Sequence, residues 1–142
     1  MDIRPAVYGD VELIMAVEKT GISHPWDKES IESVVSDDNK ICIVAVDESL
    51  IGYIYASFVL DEAEIGNICI VPECRGQGVG QSLIDAMLSD LKSRGVCKVF
   101  LEVESDNESA IRLYERSGFV KYNQRRDYYG PGRDALLYSL TL

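Results

Sequence analysis

The stretch Ile65-Gly66-Asn67-Ile68-Cys69-Ile70-Val71-Pro72-Glu73-Cys74-Arg75-Gly76-Gln77-Gly78-Val79-Gly80 decides the fold of this chain. Its first seven residues are mostly apolar and rich in β-branched side chains, which predicts a strand. The run from Gln81 to Gly95 has the apolar spacing of a helix. The three alternating glycines between them let backbone N–H groups approach an anion without a Cβ in the way. Because a helix N-terminus adds free donors and positive dipole charge, the stretch predicts a loop that binds a phosphate-bearing cofactor.

The residues after the last glycine exclude two other phosphate-binding loops. A Walker loop needs Lys and then Ser or Thr at this point, whereas Gln81 and Ser82 follow here. A dinucleotide-binding loop needs its third glycine where Gln81 stands. The loop by itself leaves a glycine-rich turn without a ligand as the open alternative.

Length, charge and cysteine usage narrow the class of function. The chain has 142 residues, which fits a single domain over residues 1–142. Its formal net charge of −10 argues against a nucleic-acid-binding surface, which would be basic, and favours a cationic partner such as a basic peptide with a free amino terminus. The four cysteines form no Cys-x-x-Cys pair, and with one histidine we expect no metal site.

The N-terminus and the apolar runs bear on location. The N-terminus carries no apolar signal region. No apolar run reaches the ~20 residues that a membrane-spanning helix needs. We therefore expect a cytoplasmic protein without a membrane partner.

The pattern along the whole chain predicts an α/β fold. Apolar periodicity predicts helices over 10–20, from an N-cap at Asp27, over 81–95, and from a capping box at Ser105–Glu108 to Ser117. Apolar, β-branched runs predict strands near 3–6, 41–46, 51–60, 65–71, 98–104, 120–128 and 135–140. A mixed sheet with helices on its faces accounts for this order.

The loop and the segments around it resemble the GCN5-related N-acetyltransferase (GNAT) family. Arg75-Gly76-Gln77-Gly78-Val79-Gly80 matches the family signature Arg/Gln-x-x-Gly-x-Gly/Ala, and residues 107–119 resemble a later helix with its Asn, Tyr and Gly-Phe. Within the family, Pro25-Trp26, Leu101-Glu102-Val103 and Arg125–Tyr129 resemble the ribosomal-protein-alanine acetyltransferase (RimI) type. The resemblance implies a mostly antiparallel, twisted sheet of about seven strands with helices on both faces.

The same resemblance implies acetyl-coenzyme A as the co-substrate, with no metal. Ile68-Cys69-Ile70 resembles the strand that pairs with the pantetheine arm, while a buried, inert thiol at Cys69 and an acylated one are both compatible with the sequence. Asn107 is expected to bond the pantetheine arm, to cap a helix, or both. The implied cofactor-binding residues are Ile68, Cys69, Ile70, Arg75, Gly76, Gln77, Gly78, Val79, Gly80, Gln81 and Asn107.

Glu102 is the candidate general base. Strand alternation places it on the face opposite Leu101 and Val103. A carboxylate in an apolar strand is costly unless it is solvated or paired. The residues alone leave open a Glu on a wet sheet face or in a structural ion pair, whereas the resemblance implies a base that acts directly or through a water.

Tyr114 is the candidate general acid. It follows Asn107 by seven residues, close to two helical turns, so both side chains can face the same way. The residues alone also allow a half-buried core tyrosine on the stripe with Ala110 and Ile111. The resemblance implies that its hydroxyl protonates the departing thiolate.

Trp26, Tyr128 and Tyr129 are the candidate substrate-binding residues. Trp26, after His24-Pro25, either walls the substrate cleft, as the resemblance implies, or plugs a small core. Tyrosine hydroxyls can orient a peptide backbone, although a charged strand face is the alternative for this segment. Alternation predicts that Arg125 and Arg126 point to opposite faces.

The implied reaction is direct transfer of acetyl to a neutral amine in a ternary complex. An α-amine with a pKa of about 8 is about one-tenth neutral at pH 7, whereas a lysine amine at about 10.4 is neutral only to a few parts in ten thousand. A modest base therefore suits a protein N-terminus, and the resemblance implies one such as the N-terminal alanine of a small-subunit ribosomal protein. A small-molecule amine N-acetyltransferase and a non-catalytic acyl-coenzyme A sensor are the alternatives. The oligomeric state is not predicted, and a monomer is compatible with the sequence.

Overall fold

The structure is a computed structural model that describes residues 1–21 and 25–142. His24 of the predicted His24-Pro25-Trp26 segment lies outside the described residues. The elements follow in the order β1 (Asp2–Pro5), a 3-10 turn (Tyr8–Asp10), α1 (Val11–Gly21), α2 (Lys28–Ser36), β2 (Lys40–Asp47), β3 (Ser49–Val59), β4 (Glu62–Ile70), a 3-10 turn (Pro72–Cys74), α3 (Val79–Ser93), β5 (Lys98–Glu104), α4 (Glu108–Arg116), β6 (Val120–Gly130) and β7 (Arg133–Thr141).

The seven strands form one sheet in the order β1-β2-β3-β4-β5-β7-β6. Neighbours pair antiparallel except β4 and β5, which are parallel and connected through α3. The predicted mixed, mostly antiparallel sheet is therefore confirmed.

The one parallel pair is short, and this decides where the site lies. Residues 62–64 of β4 pair with 98–100 of β5, and the two strands then separate. Beyond that point β4 stays paired with β3 as far as Ile70, and β5 stays paired with β7 as far as Glu104. The sheet therefore opens between two strands that are each supported on their outer side.

Helices cover both faces of the sheet. The larger core packs α3 and α4 against one face and includes Leu83, Met87, Leu101, Val103 and Tyr114. The smaller core packs α1 and α2 against the other face over β2, β3 and β4, and includes Val11, Ile14, Ile31, Tyr53 and Cys69. Within residues 1–21 and 25–142, no helix is both long and apolar enough to cross a membrane.

The residues that cap α2 and α4 test two predictions made from the sequence. Asp27 caps α2 as predicted, and its carboxylate accepts from the Ser30 N–H at 2.8 Å. The capping box at Ser105 was wrong, because α4 is capped by Asn107, whose side chain accepts from the Ala110 N–H at 3.3 Å. Ser105 is still tied to the sheet, since its N–H donates to the Asp134 carbonyl at 2.9 Å, so it cannot begin the helix.

Candidate active site

A cleft of about 640 Å³ lies between the end of β4, the loop before α3 and the helix α4. Of the predicted cofactor-binding residues, Gln77 does not line it; the exposed Gln77 side chain instead donates to the Glu73 carbonyl at 3.4 Å. The others line the cleft together: Ile68, Cys69, Ile70, Arg75, Gly76, Gly78, Val79, Gly80, Gln81 and Asn107. Ten of the eleven predicted residues therefore lie around one cleft, and their role in binding the cofactor stays a prediction.

The glycines of the loop serve two different purposes. Gly76 and Gly78 have φ of +76° and +84°, the left-handed region that L-residues avoid, and a Cβ at either would meet nothing within 4 Å. At Gly80 the constraint is space, because a Cβ would lie 3.0 Å from Leu113 Cδ2 and 3.2 Å from Ile70 Cδ1. The first two glycines shape the loop, and the third lets α3 approach α4 and β4.

The loop presents a row of unused donors. Within the described part of the chain, the backbone N–H groups from Gly76 to Gln81 have no hydrogen-bond acceptor in the protein. The first of the helical hydrogen bonds here runs from the Ser82 N–H to the Gly78 carbonyl at 3.1 Å. Free amides at a helix N-terminus fit a phosphate group.

Three arginines add positive charge to a cleft in an acidic chain. Arg75, Arg112 and Arg116 line it, and Arg75 Nε also donates to the Ile70 carbonyl at 2.9 Å. Gly21, the last residue of α1, lies against Arg75, since a Cβ there would be 2.6 Å from its guanidinium.

Part of the lining was not predicted from sequence: Gly21, Cys74, Ser109, Ala110, Arg112, Leu113 and Arg116. For α4 a signal was available, because residues 109, 112, 113 and 116 share one helix face. Cys69 is buried in the cleft wall, and burial raises the pKa of its thiol. This favours the inert thiol over an acylated one.

Glu102 lies half-buried on β5 and faces away from the core that holds Leu101 and Val103. It therefore points to the side of the sheet that carries α1 and α2. No ion pair of the described residues includes Glu102; the carboxylate of Glu104 instead bridges Arg133 at 2.6 Å. A structural ion pair was one alternative role for Glu102, but in the structure Glu104 forms it, two residues further along β5.

Tyr129 lies beside Glu102. Burial, and then the negative charge of Glu102, raise the pKa of Tyr129 to about 12. The hydroxyl therefore keeps its proton near neutral pH. Neither Glu102 nor Tyr129 lines the large cleft.

Tyr114 is buried on α4 on the opposite face of the sheet from Glu102. Its ring packs edge-on against Phe119 with centroids 6.0 Å apart, and burial raises its pKa to about 12. It does not line the cleft, and within the described residues its hydroxyl has no hydrogen-bond partner. Its catalytic role stays a prediction.

Tyr128 and Tyr129 lie in a bulge of the edge strand β6. Four residues, 126–129, stand opposite Asp134 alone, and Asp127 has a left-handed φ of 53°. The Asp134 carboxylate accepts from the Asp127 N–H at 2.9 Å and from Gln124 Nε2 at 2.6 Å. Arg125 and Arg126 are both exposed, as are all residues from 120 to 129 of this edge strand, so the opposite faces predicted for the two side chains stay a prediction.

A buried carboxylate on the α1 side was missed entirely. Glu18 is 1% exposed and accepts hydrogen bonds from the Trp26 N–H at 2.9 Å and from the Tyr53 hydroxyl. Asn67 Nδ2 donates to the same Tyr53 hydroxyl at 3.3 Å. Burial, and then the hydrogen bond to Glu18, raise the pKa of Tyr53. The sequence signal for this buried carboxylate is that Glu18 shares the apolar stripe of α1 with Val11 and Ile14.

Comparison with known proteins identifies the class of protein. The profile of the Acetyltransferase (GNAT) family matches residues 11–119. The ribosomal protein bS18-alanine N-acetyltransferase of Escherichia coli K12 is 30% identical over 136 residues, which cover 94% of this chain and 92% of the relative. The chain therefore belongs to the GNAT family and is an N-acetyltransferase.

Solved structures agree with this assignment. The crystal structure of the ribosomal-protein-S18-alanine N-acetyltransferase from Escherichia coli matches with a TM-score of 0.89 and 28% identity, over 99% of this chain and 92% of that one. Arabidopsis thaliana NAA60 in complex with acetyl-CoA matches with a TM-score of 0.90 over 99% of this chain and 98% of that one. At 23% identity, the second likeness shows the fold alone.

Proposed function

We propose that this N-acetyltransferase transfers acetyl from acetyl-coenzyme A to the free α-amine of a protein N-terminus, and that the N-terminal alanine of a small-subunit ribosomal protein is the first acceptor to test. The observation that carries the proposal is the opening between β4 and β5, with the amide-bearing loop at one end and Glu102 beside it on the α1 side. The relatives named for ribosomal protein bS18 alanine support this choice of acceptor.

The cofactor side fits acetyl-coenzyme A. The free amides from Gly76 to Gln81 suit its pyrophosphate. Beyond Glu64 the β4 edge that faced β5 has no partner strand among residues 1–21 and 25–142, so the backbone of Ile68–Ile70 can pair with the amides of the pantetheine arm. Asn107 can bond the arm while it caps α4, and the three cleft arginines favour the phosphates.

The acceptor side fits the end of a chain better than a small enclosed amine. Tyr128 is 52% exposed and Tyr129 is 37% exposed, so this wall of the site is open to solvent. A peptide can place its terminal amine near Glu102 and continue outward past the tyrosines and Trp26. The net charge of −10 attracts basic N-terminal segments.

The chemistry needs two proton transfers. Acetyl-coenzyme A supplies the acetyl group as a thioester, whose C–S bond breaks as the C–N bond of the amide forms. Glu102 accepts the proton of the attacking amine, directly or through a water. Tyr114, whose pKa of about 12 keeps it protonated, donates to the departing thiolate. In this scheme of direct transfer in a ternary complex, Glu102 and Tyr114 approach the reacting groups from opposite faces of the sheet.

A peptide panel tests the function. The purified protein is given acetyl-coenzyme A with Ala-first peptides, N-blocked Lys-containing peptides and small polyamines, and thiol release is followed. We expect turnover with free α-amines and initial-rate lines that intersect, as a ternary complex requires. Turnover of polyamines alone would replace the proposal with a small-amine acetyltransferase, and tight coenzyme A binding without turnover would replace it with a sensor.

Glu102→Gln tests the base. We expect kcat to fall ~10²–10⁴-fold at neutral pH with acetyl-coenzyme A binding unchanged. Glu104→Gln is the matched control, since it lies two residues along the same strand face and loses only the bridge to Arg133. Equal losses in the two variants would remove Glu102 from the role of base.

A further inference from the structure

Glu18 joins three separate parts of the fold around one buried carboxylate. It lies on α1, accepts from the backbone N–H of Trp26 just before α2, and accepts from the hydroxyl of Tyr53 on β3. Tyr53 in turn accepts from Asn67 on β4 at 3.3 Å. This chain of hydrogen bonds therefore connects Trp26 and α1, through Tyr53 on β3, to Asn67 on β4.

A second chain of contacts runs beside the first. The Trp26 ring packs on Tyr55 with centroids 4.7 Å apart. The Tyr55 ring covers Gly66 so closely that a Cβ there would lie 2.3 Å from it. Both chains start at Trp26 and reach neighbouring residues of β4, Gly66 and Asn67.

Gly66 and Asn67 mark an irregularity of β4. Tyr55 pairs with Asn67 while the next residue of β3, Ala56, pairs with Ile65, so Gly66 is an extra residue in β4. Such a bulge re-aims the residues beyond it. It lies just after the last β4–β5 pair and just before Ile68, where the cleft begins.

Burial of the Glu18 carboxyl group has a cost in free energy. A buried carboxylate costs several kcal/mol unless its oxygens are hydrogen-bonded. Apolar residues fill the rest of this core, and a leucine at position 18 would continue the stripe. A carboxylate does what leucine cannot, because it holds a backbone N–H and a hydroxyl at fixed points.

We propose that Glu18 is a positioning residue for the acceptor: it fixes Trp26 and, through Tyr53 and Asn67, the bulge of β4, and so sets where the acceptor amine meets the cleft. This inference rests on the proposed function, which places Trp26 on the acceptor side. Glu18 does not line the cofactor cleft. It should therefore affect the acceptor and leave acetyl-coenzyme A binding unchanged.

Glu18→Gln is compared with Asp10→Asn, a matched control. Asp10 is also a buried acid, 5% exposed, and accepts hydrogen bonds from Arg4 and from the Val7 N–H, but within the described residues it has no hydrogen bond to Trp26 or to β4. We expect Glu18→Gln to raise the peptide KM about five- to tenfold, because that factor corresponds to the loss of about one hydrogen bond. The Kd of acetyl-coenzyme A should be unchanged. Asp10→Asn should lower Tm without changing KM.

Trp26 supplies a readout that does not need activity, since it is the one tryptophan of the chain. We expect Glu18→Gln to shift its emission to longer wavelength and to increase acrylamide quenching, whereas Asp10→Asn leaves both unchanged. Tyr53→Phe, which keeps the Trp26 bond, should show a smaller shift in the same direction and serves if Glu18→Gln does not fold.

The outcomes separate the two proposals. If the wild type turns over no peptide, the proposed function fails and the Trp26 signals alone decide the role of Glu18. If the wild type is active and Glu18→Gln matches Asp10→Asn in KM and in fluorescence, Glu18 is an ordinary buried acid and the inference is overturned.

Discussion

Replacement of Gly66 by alanine should destabilise the protein through one contact. The backbone at Gly66 is outside the left-handed region, and the three atoms nearest to an added side chain all belong to Tyr55. The new methyl would lie 2.3 Å from ring atoms, where ordinary contacts begin at 3.4 Å, so the ring must move by about 1 Å. Tyr55 cannot move freely, because it is 8% exposed and packed on Trp26.

The size of the effect follows from two opposing contributions. Overpacking of this kind costs about 1–3 kcal/mol, and the loss of glycine freedom in the unfolded chain returns about 0.4–1 kcal/mol. The net cost is about 1–2 kcal/mol. With an unfolding entropy of about 2.1 cal/mol/K per residue over 142 residues, this lowers Tm by about 3–7 °C.

A double-mutant cycle followed by thermal denaturation tests this reasoning. Tyr55→Leu removes the ring atoms that the methyl would meet, so in that background Gly66→Ala should be neutral or slightly stabilising. Gly9→Ala is the control, since a Cβ there meets nothing within 4 Å, and its Tm should change by less than about 2 °C. Additive losses in the cycle, or an unchanged Tm for Gly66→Ala alone, would refute the role given to the Tyr55 ring.

Three further predictions address the loop, the candidate acid and the β6 bulge. Gly78→Ala should cost about 1–2 kcal/mol of stability for its left-handed backbone and also weaken acetyl-coenzyme A binding by calorimetry, whereas Gly132→Ala, at a φ of 73° away from the cleft, should lose stability alone. The unfolded chain releases the Tyr114 proton near pH 10 and the folded chain near 12, so the free energy of unfolding should fall as pH rises from 10 to 12; Tyr114→Phe should lose part of that slope in urea denaturation at pH 8 and 11. Asp134→Ala should release the bulge and raise the peptide KM in steady-state assays, and an equal rise in the Kd of acetyl-coenzyme A would contradict a role confined to the acceptor side.

The shape of the loop before α3 could be predicted from sequence because its determinants are local. The positive φ of Gly76 and Gly78, the start of α3 and the strand before the loop all lie within one stretch of sixteen residues, 65–80. The periodicity of apolar residues in strands and helices also predicted the order of the elements. The capping box failed because a pairing distant in sequence, between the Ser105 N–H and the Asp134 carbonyl, keeps Ser105 in the sheet.

The acceptor side was less readable because its contacts are distant in sequence. Glu18 and Tyr53 are 35 residues apart, and Arg133 reaches Glu104 across 29 residues. The bulge that carries Tyr128 and Tyr129 depends on Asp134, which alternation alone does not predict. The aromatic candidates were named from resemblance, but the polar groups that hold them emerge only when the strands are assembled.

Substitutions should affect the proposed acceptor site and the cofactor loop differently. The loop amides that suit the phosphates belong to the backbone, so substitutions of Glu18, Asn67 or Asp134 leave those donors in place. We expect the same substitutions to move Trp26, the β4 bulge or the β6 bulge, which border the proposed acceptor site. We therefore expect that this chain can be redirected to another amine through a few polar residues, of which Glu18 is buried and Asn67 and Asp134 are partly buried, while its affinity for acetyl-coenzyme A stays the same.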